Sequence, residues 1–221
     1  MATTARTYGE ACGIPRALDR IGERWALMIV RELVLGPKRF TDLRTGLPAV
    51  SPNVLSQRLR ELEGYGVVRK RKLPPPAAST VYELTEWGAE LEHVLKALGR
   101  WGARAPLLPG EPVMSFDAHI LSFRTLFDPA RADGLEARVL LHLGERDFRA
   151  VVSGGEFEIA EGALDDPDAV ITSDHGTALA VAHGRASLDE AEAAGALTIT
   201  GDRETAVRFL GLFPLPEPAA A

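Results

Sequence analysis

The chain has 221 residues, 46% hydrophobic and 25% charged, an ordinary globular composition with room for one large or two modest domains. Its single cysteine excludes an intrachain disulfide and argues against a disulfide-rich secreted scaffold. No apolar run approaches the roughly 18 residues of a membrane span, and the N-terminus lacks the apolar core of a signal peptide. We therefore expect a cytoplasmic protein with no membrane partner.

The net charge of −6 hides a separation of charge along the chain. Residues 1–104 carry 17 Lys and Arg against 11 Asp and Glu, whereas residues 105–221 carry 8 against 20. An electropositive half can bind a polyanion while an acidic half stays away from it. The asymmetry therefore favours nucleic-acid binding.

The first half is predicted to open with three helices. Large apolar residues recur at helical spacing from Pro15 to Leu35, in two helices that break near Gly22 and end at Gly36-Pro37. A short helix follows in RFTDLRTGLP, residues 39–48, and ends at its proline. These helices provide the apolar floor on which the next one packs.

The segment SPNVLSQRLRELEGYG predicts a helix with clear boundaries. Ser51 is placed as N-cap and Pro52 at the first helical position, and Gly66 follows the end. Leu55, Leu59 and Leu62 fall on one narrow apolar stripe. The opposite face is formed by Asn53, Ser56, Gln57 and Arg60.

This polar face has two interpretations. It is an ordinary solvated helix face, or it reads bases in the major groove, since Asn and Gln match adenine edges and Arg matches guanine or phosphate. The second interpretation gains support from the short helix before it, because two helices joined by a tight turn are typical of a helix-turn-helix.

A β-hairpin is predicted after Gly66. Its strands are residues 67–72 and 79–84, and its tip, residues 73–78, is rich in proline. The outgoing strand ends in four consecutive cations, Arg69, Lys70, Arg71 and Lys72. An isolated charge run is usually a solvated face, but after a candidate reading helix a wing that touches phosphates or the minor groove is favoured.

Thr85 is predicted to cap a helix with a heptad-like apolar seam. The seam consists of Trp87, Leu91, Val94, Leu98 and Trp101. Packing on its own domain explains the seam as well as a dimer contact does. We favour the dimer, because helix-turn-helix proteins bind two half-sites and need a symmetric partner.

Residues 8–104 closely resemble the HxlR family of winged-helix transcriptional regulators, which are relatives of the MarR type. The segments GERW, GPKRFTDL, SPNVLSQRLRELE and YELTEWG occur in the family's order and spacing. The resemblance implies a homodimer joined through its first and last helices, with the helix from Ser51 to Tyr65 in the major groove of a double-stranded operator and the hairpin from Arg69 to Tyr82 as wing. The DNA-contacting residues we predict are Arg39, Ser51, Pro52, Asn53, Ser56, Gln57, Arg60, Arg69, Lys70, Arg71 and Lys72. The three prolines at the wing tip depart from the family's pattern.

A second domain is predicted after the segment APLLPGEP, residues 105–112, which is a semi-rigid linker. A helix with an aromatic face ends at Asp128-Pro129, and alternating strands then form an antiparallel meander. A short helix, a capped helix from Ser187, a strand and a last helix follow. The predicted domains are 1–104 and 113–213, with a flexible tail at 214–221, in an α+β protein.

The order of elements in residues 113–213 resembles the sterol-carrier-protein type of lipid-binding domain. The resemblance implies a sheet covered by helices around an apolar cavity that binds a hydrophobic small molecule. The side chains predicted to line it are Phe116, Ile120, Phe123, Phe127, Phe148 and Phe157. The alternative is that these side chains simply fill a small core.

Cys12 precedes the first helix at the position where redox-responsive members of the HxlR family carry a sensing thiol; an idle cysteine is the alternative. Ser173, Asp174 and His175 are adjacent in sequence and form no triad by themselves, and His175 and His183 match no zinc signature. We predict a dimeric regulator without enzyme activity, metal or cofactor. The alternatives are a thiol sensor acting through Cys12 and a lipid carrier in which the helical domain only dimerises.

Overall fold

The computed structural model describes residues 7–76, 78–106 and 114–219, and it is an α+β protein as predicted. The chain forms two compact units, residues 1–95 and 96–221, and the division falls inside a helix, Leu91–Gly102. Most of the predicted linker, residues 105–112, lies outside the described residues. The linker and the domain bounds of the sequence interpretation stay predictions.

The first unit is mainly helical, with a two-stranded hairpin. Its elements are α1 (Gly13–Ile21), α2 (Ala26–Leu33), α3 (Phe40–Gly46), α4 (Pro52–Gly64), β1 (Val68–Lys72), β2 (Thr80–Leu84), α5 (Glu86–Ala89) and the beginning of α6 (Leu91–Gly102). The predicted break near Gly22 is confirmed, and α2 begins after Trp25, which adopts a left-handed conformation with φ 80°. Ile29, Leu43 and Leu55 are fully buried in the centre of this unit.

The hairpin pairs β1 with β2 so that Arg69 lies opposite Glu83. A third segment joins it, because the main chain of Lys38 exchanges two hydrogen bonds of 2.9 and 2.8 Å with Tyr82. The wing is therefore fastened to the connection between α2 and α3.

The single helix predicted from Thr85 onwards is wrong, because the structure divides it at Glu90 into α5 and α6. The first turn is held by the hairpin: the Thr85 hydroxyl donates to the Gly66 carbonyl at 2.7 Å, and the Thr85 N–H donates to the Val67 carbonyl at 3.1 Å. A periodicity argument does not see these contacts. The predicted apolar seam therefore spans two helices.

The second unit, beyond the last turns of α6, is a five-stranded sheet with helices. Its elements are α7 (Phe116–Leu126), β3 (Ala137–Leu143), β4 (Arg146–Ser153), β5 (Glu156–Glu161), β6 (Ala169–Ser173), α8 (His175–Ala182), α9 (Leu188–Ala193), β7 (Leu197–Gly201) and α10 (Arg203–Leu210). Val139, Leu141 and Ala150 belong to the buried face of the sheet, and α7 and α10 pack on the sheet.

The strand order is β5-β4-β3-β6-β7; β3 and β6 run parallel, and the other neighbouring strands pair antiparallel. The meander predicted for β3 to β6 is right for β3, β4 and β5 and wrong for β6, which returns to lie beside β3. Asp168 fixes this return, because its N–H donates to the Arg138 carbonyl at 2.8 Å and its carboxylate accepts the Arg138 N–H at 2.7 Å. The sheet is thus mixed, although mostly antiparallel.

Candidate nucleic-acid interface and ligand-binding core

Helix α4 has the anchored side that the sequence predicts. The Ser51 hydroxyl accepts the Val54 N–H at 3.4 Å, which caps the helix with Pro52 at its first position. The three leucines of the predicted stripe, Leu55, Leu59 and Leu62, are at most 1% exposed. Burying three leucines fixes the rotation of the helix, so its polar side faces outward.

On the outward side, Asn53, Gln57 and Arg60 are exposed and Ser56 is half-buried. Two of these side chains lie along the helix surface: the Gln57 amide donates to Glu61 at 3.0 Å, and Arg60 Nε donates to the Ser56 carbonyl at 3.3 Å. Such exposed local bonds contribute only about 0.5 kcal/mol each. Gln57 and Arg60 can therefore exchange these weak bonds for contacts with a strongly charged ligand.

Arg39 is exposed at the N-cap position of α3, where its N–H donates to the Asp42 carboxylate at 2.9 Å. Ser51 and Pro52 are exposed at the start of α4, although the Ser51 hydroxyl already serves as the cap. The first turns of α3 and α4 thus present one cation and two small side chains to solvent. Their contact with DNA stays a prediction.

All four cations of the wing are exposed, but three of them are paired with carboxylates. Arg69 Nε and Arg71 Nε each donate to a different oxygen of Glu83 at 2.8 Å, and Lys70 Nζ lies 3.1 Å from Glu63 at the end of α4. The sequence interpretation missed both acids. The hairpin register is the signal that identifies Glu83, since it lies across from Arg69.

Four of the five seam residues, Trp87, Val94, Leu98 and Trp101, are 45–72% exposed, and Leu91 packs against the core of the first unit. Helix α1 adds Ile14, 71% exposed, and Leu18, 42% exposed. An apolar cleft of about 220 Å³ runs between α1 and the α5–α6 segment, lined by Ala17, Arg20, Ile21, Val67, Trp87, Glu90, Leu91 and Val94. Exposed apolar side chains beside a cleft of this kind are typical of a protein interface.

The six residues predicted to contact a ligand all lie in the second unit, in separate groups. Phe116 stacks on Phe148 at 5.6 Å, and Phe127 stacks on Phe157 at 5.2 Å. Ile120, Phe123 and Phe148 are fully buried, whereas Phe116, Phe127 and Phe157 are half-buried. Their role in binding a ligand stays a prediction.

Two further phenylalanines complete the aromatic core and were missed from the sequence. Phe213 contacts Phe123 at 4.9 Å and Phe157 at 5.0 Å, and Phe209 contacts Phe213 at 5.2 Å. Both are fully buried. Phe213 is the last residue of the predicted second domain, next to the proline-rich tail, where no periodicity marks it as core.

Histidines and one arginine form a polar group beside Phe116. The guanidinium of Arg146 lies 4.4 Å from the Phe116 ring centre. It pairs with Glu161 at 2.7 Å and with Asp117 at 3.1 Å, and these two acids raise the pKa of Arg146. The His119 and His175 rings are 4.6 Å apart. His183 is buried, and burial together with the charge of Arg185 lowers the pKa of His183 to about 4.

Cys12 is exposed and occupies the N-cap position of α1. Its thiol makes no capping hydrogen bond there, so the start of α1 does not need a thiol at this position. Redox sensing through Cys12 stays a prediction. No helix in the described part of the chain is long and apolar enough to cross a membrane.

Two different protein families match two different parts of the chain. Residues 20–106 match the family described as HxlR-like helix-turn-helix, and residues 124–214 match the SCP-2 sterol transfer family. The chain is 37% identical over 86 residues to the uncharacterised HTH-type transcriptional regulator YvaP of Bacillus subtilis, covering 39% of this chain and 80% of that protein.

A second relative is similar both in sequence and in its solved structure. The HTH-type transcriptional regulator YodB of B. subtilis is 35% identical over 85 residues, covering 38% of this chain and 76% of YodB. The solved structure of the reduced form of YodB is similar with 32% identity and a TM-score of 0.39, covering 46% of this chain and all of that chain. Each of these similarities covers less than half of this chain.

Proposed function

Because the chain belongs to the HxlR-like helix-turn-helix family of transcriptional regulators, we propose that it binds a specific operator as a homodimer. Helix α4 enters the major groove and the β1–β2 wing contacts the flanking backbone. The observation that carries the proposal is the outward polar side of α4, which three fully buried leucines hold in place. The charge of residues 1–104, 17 cations against 11 acids, supports a polyanionic partner.

The test is a selection of duplexes from a random-sequence library by the full-length protein, followed by titration of the selected duplex and a random duplex. A specific regulator binds the selected duplex at least about a thousandfold more tightly than the random one at physiological salt. A selection that yields no consensus would contradict the proposal. It would favour the carrier alternative, in which the first unit only dimerises.

The second unit acts in this proposal as the sensor of a hydrophobic small molecule. Support comes from its match to a sterol transfer family and from its aromatic side chains. Three of the six residues predicted to bind the ligand, Phe116, Phe127 and Phe157, are only partly buried and so partly accessible. Ligand binding changes the population of the DNA-binding arrangement of the dimer. Coupling of about 1 to 3 kcal/mol, which is about 5- to 150-fold in affinity, is sufficient.

A fluorescent fatty acid, cis-parinaric acid, is a suitable probe for this sensor. We expect saturable binding, and the operator affinity should change by the same factor by which operator DNA changes the affinity for the probe. Butyric acid has the same carboxylate with little apolar surface and serves as the control. Saturable binding of the probe without any change in operator affinity would be consistent with a carrier function and would contradict the sensor function.

Thiol sensing through Cys12 is the remaining alternative, supported by the exposure of its thiol. Hydrogen peroxide should then alter operator affinity in the wild-type protein and leave Cys12→Ser unaffected. A response that persists in Cys12→Ser would exclude this alternative.

A further inference from the structure

We propose that Glu83 is a positioning residue that holds Arg69 and Arg71 as a pair aimed at the DNA backbone. The inference rests on the proposed DNA-binding function and assigns a role within it to an acidic residue. An acid on a DNA-binding hairpin would ordinarily be expected to weaken binding, because it repels phosphates.

The geometry of the hairpin carries this inference. Glu83 lies directly across from Arg69, and Arg71 is two positions along the same strand, so both arginines stand on the same face as Glu83. Arg69 Nε donates to Oε1 and Arg71 Nε donates to Oε2, each at 2.8 Å. One carboxylate therefore binds both guanidinium groups at once, with one oxygen for each.

The contacts leave most of each guanidinium available. A guanidinium has five N–H donors, and the bond to Glu83 uses the one at Nε, which leaves the terminal donors for another acceptor. Two such donors suffice for a bidentate contact with a phosphate. Each arginine can thus keep its bond to Glu83 while it binds DNA.

Exposure separates the two roles. The Glu83 side chain is 11% exposed, whereas those of Arg69 and Arg71 are 64% and 46% exposed. The acid is therefore the buried anchor, and the cations extend from it into solvent. Its hydrogen bonds, that of Arg71 foremost, lower the pKa of Glu83, so the carboxylate stays ionised at neutral pH.

Fixing the two arginines before DNA arrives is favourable for specific binding. An arginine side chain has many rotamers, and part of this conformational entropy is lost on binding when the side chain is free beforehand. Lys70, on the other face of β1, pairs instead with Glu63 of α4. The Glu83 pair is therefore a feature of one face of the wing.

The test compares Glu83→Gln with Glu86→Gln in the full-length protein. Glu86 is an exposed acid in the first turn of α5, so its replacement removes the same charge from nearby. If Glu83 only repels phosphates, both variants bind selected and random duplexes more tightly. If Glu83 positions the arginines, Glu83→Gln weakens binding to the selected duplex by about tenfold and leaves binding to the random duplex unchanged or stronger.

A second comparison shows whether Glu83 acts through the arginines. In an Arg69→Ala/Arg71→Ala background, adding Glu83→Gln should cause no further loss of affinity for the selected duplex. A tenfold loss that persists there would overturn the inference, as would tighter binding of Glu83→Gln to both duplexes. If the wild-type protein prefers no duplex, both the proposed function and this inference are overturned. If the wild-type protein binds specifically and Glu83→Gln binds equally well, only the inference is overturned.

Discussion

Gly88 in α5 packs directly against the carbonyl oxygen of Val67, so that a Cβ atom on Gly88 would lie 2.0 Å from that oxygen. The same carbonyl accepts the Thr85 N–H at 3.1 Å. The wing and the helical segment that carries the apolar seam are thus joined at one point, where the main chain approaches too closely for any side chain.

Replacing Gly88 by alanine should therefore destabilise the first unit. The clash is with main-chain atoms, which cannot turn aside, and we expect a loss of about 3 kcal/mol in the free energy of unfolding. Urea unfolding followed by tryptophan fluorescence measures this, because two of the three tryptophans, Trp25 and Trp87, lie in the first unit.

Gly64→Ala is the matched control for this substitution. Gly64 lies in the last turn of α4, where an added Cβ would meet no atom within 4 Å. Alanine is favoured over glycine in a helix, so this variant should be as stable as the wild-type protein or more stable by up to about 1 kcal/mol. Equal stability of the two alanine variants would contradict the assigned contact.

Local signals in the sequence are sufficient to predict α4. A serine cap, a proline at the first position and leucines at helical spacing act within one segment, and the structure has all three features there. The outward polar side of α4 follows from the same spacing. Features of this kind need no knowledge of distant residues.

Features that depend on distant residues were not predictable in this way. The parallel pairing of β6 with β3 depends on where the chain returns, and an alternating strand pattern has no direction. The break at Glu90 lies beside Gly88, which packs against the main chain of the distant Val67. The pairing of Glu83 with two arginines can be recognised only from the hairpin register, which places Glu83 across from Arg69.

The outward side of α4 should specify bases position by position. Alanine at Asn53, Gln57 or Arg60 is expected to reduce discrimination at one operator position by about 1 to 3 kcal/mol, because each side chain would lose its bonds to one base edge. Titration of each variant with the selected duplex and its single-base variants measures this loss. An equal loss of affinity for every duplex, random ones included, would show phosphate contact instead of base reading.

The exposed apolar seam should hold the homodimer together. Leu98→Glu places a charge on α6 at a side chain that is 45% exposed, and burying an unpaired charge in an interface costs several kcal/mol. We expect this variant to sediment as a monomer at micromolar concentration. Val207→Glu changes an apolar residue of α10 that is 39% exposed, and it should leave the dimer intact. Dimers in both variants would exclude this seam as the interface.

Acid should destabilise the second unit through His183. Burial lowers the pKa of His183 to about 4, well below the ordinary value of about 6.5 that it has in the unfolded chain. Between these values the unfolded chain binds a proton that the folded unit excludes, so stability falls as the pH decreases from about 6.5 to 4. The loss is at most about 3 kcal/mol, and the lowered pKa of His119 adds to it in the same direction.

The measurement is urea unfolding at pH 7, 6, 5 and 4, followed by far-ultraviolet circular dichroism. His183→Gln cannot take up this proton, so its stability should depend less on pH than that of the wild-type protein across this range. His93→Gln, which removes an exposed imidazole on α6, should follow the wild-type curve. Parallel curves for His183→Gln and the wild-type protein would show that the buried imidazole does not resist protonation.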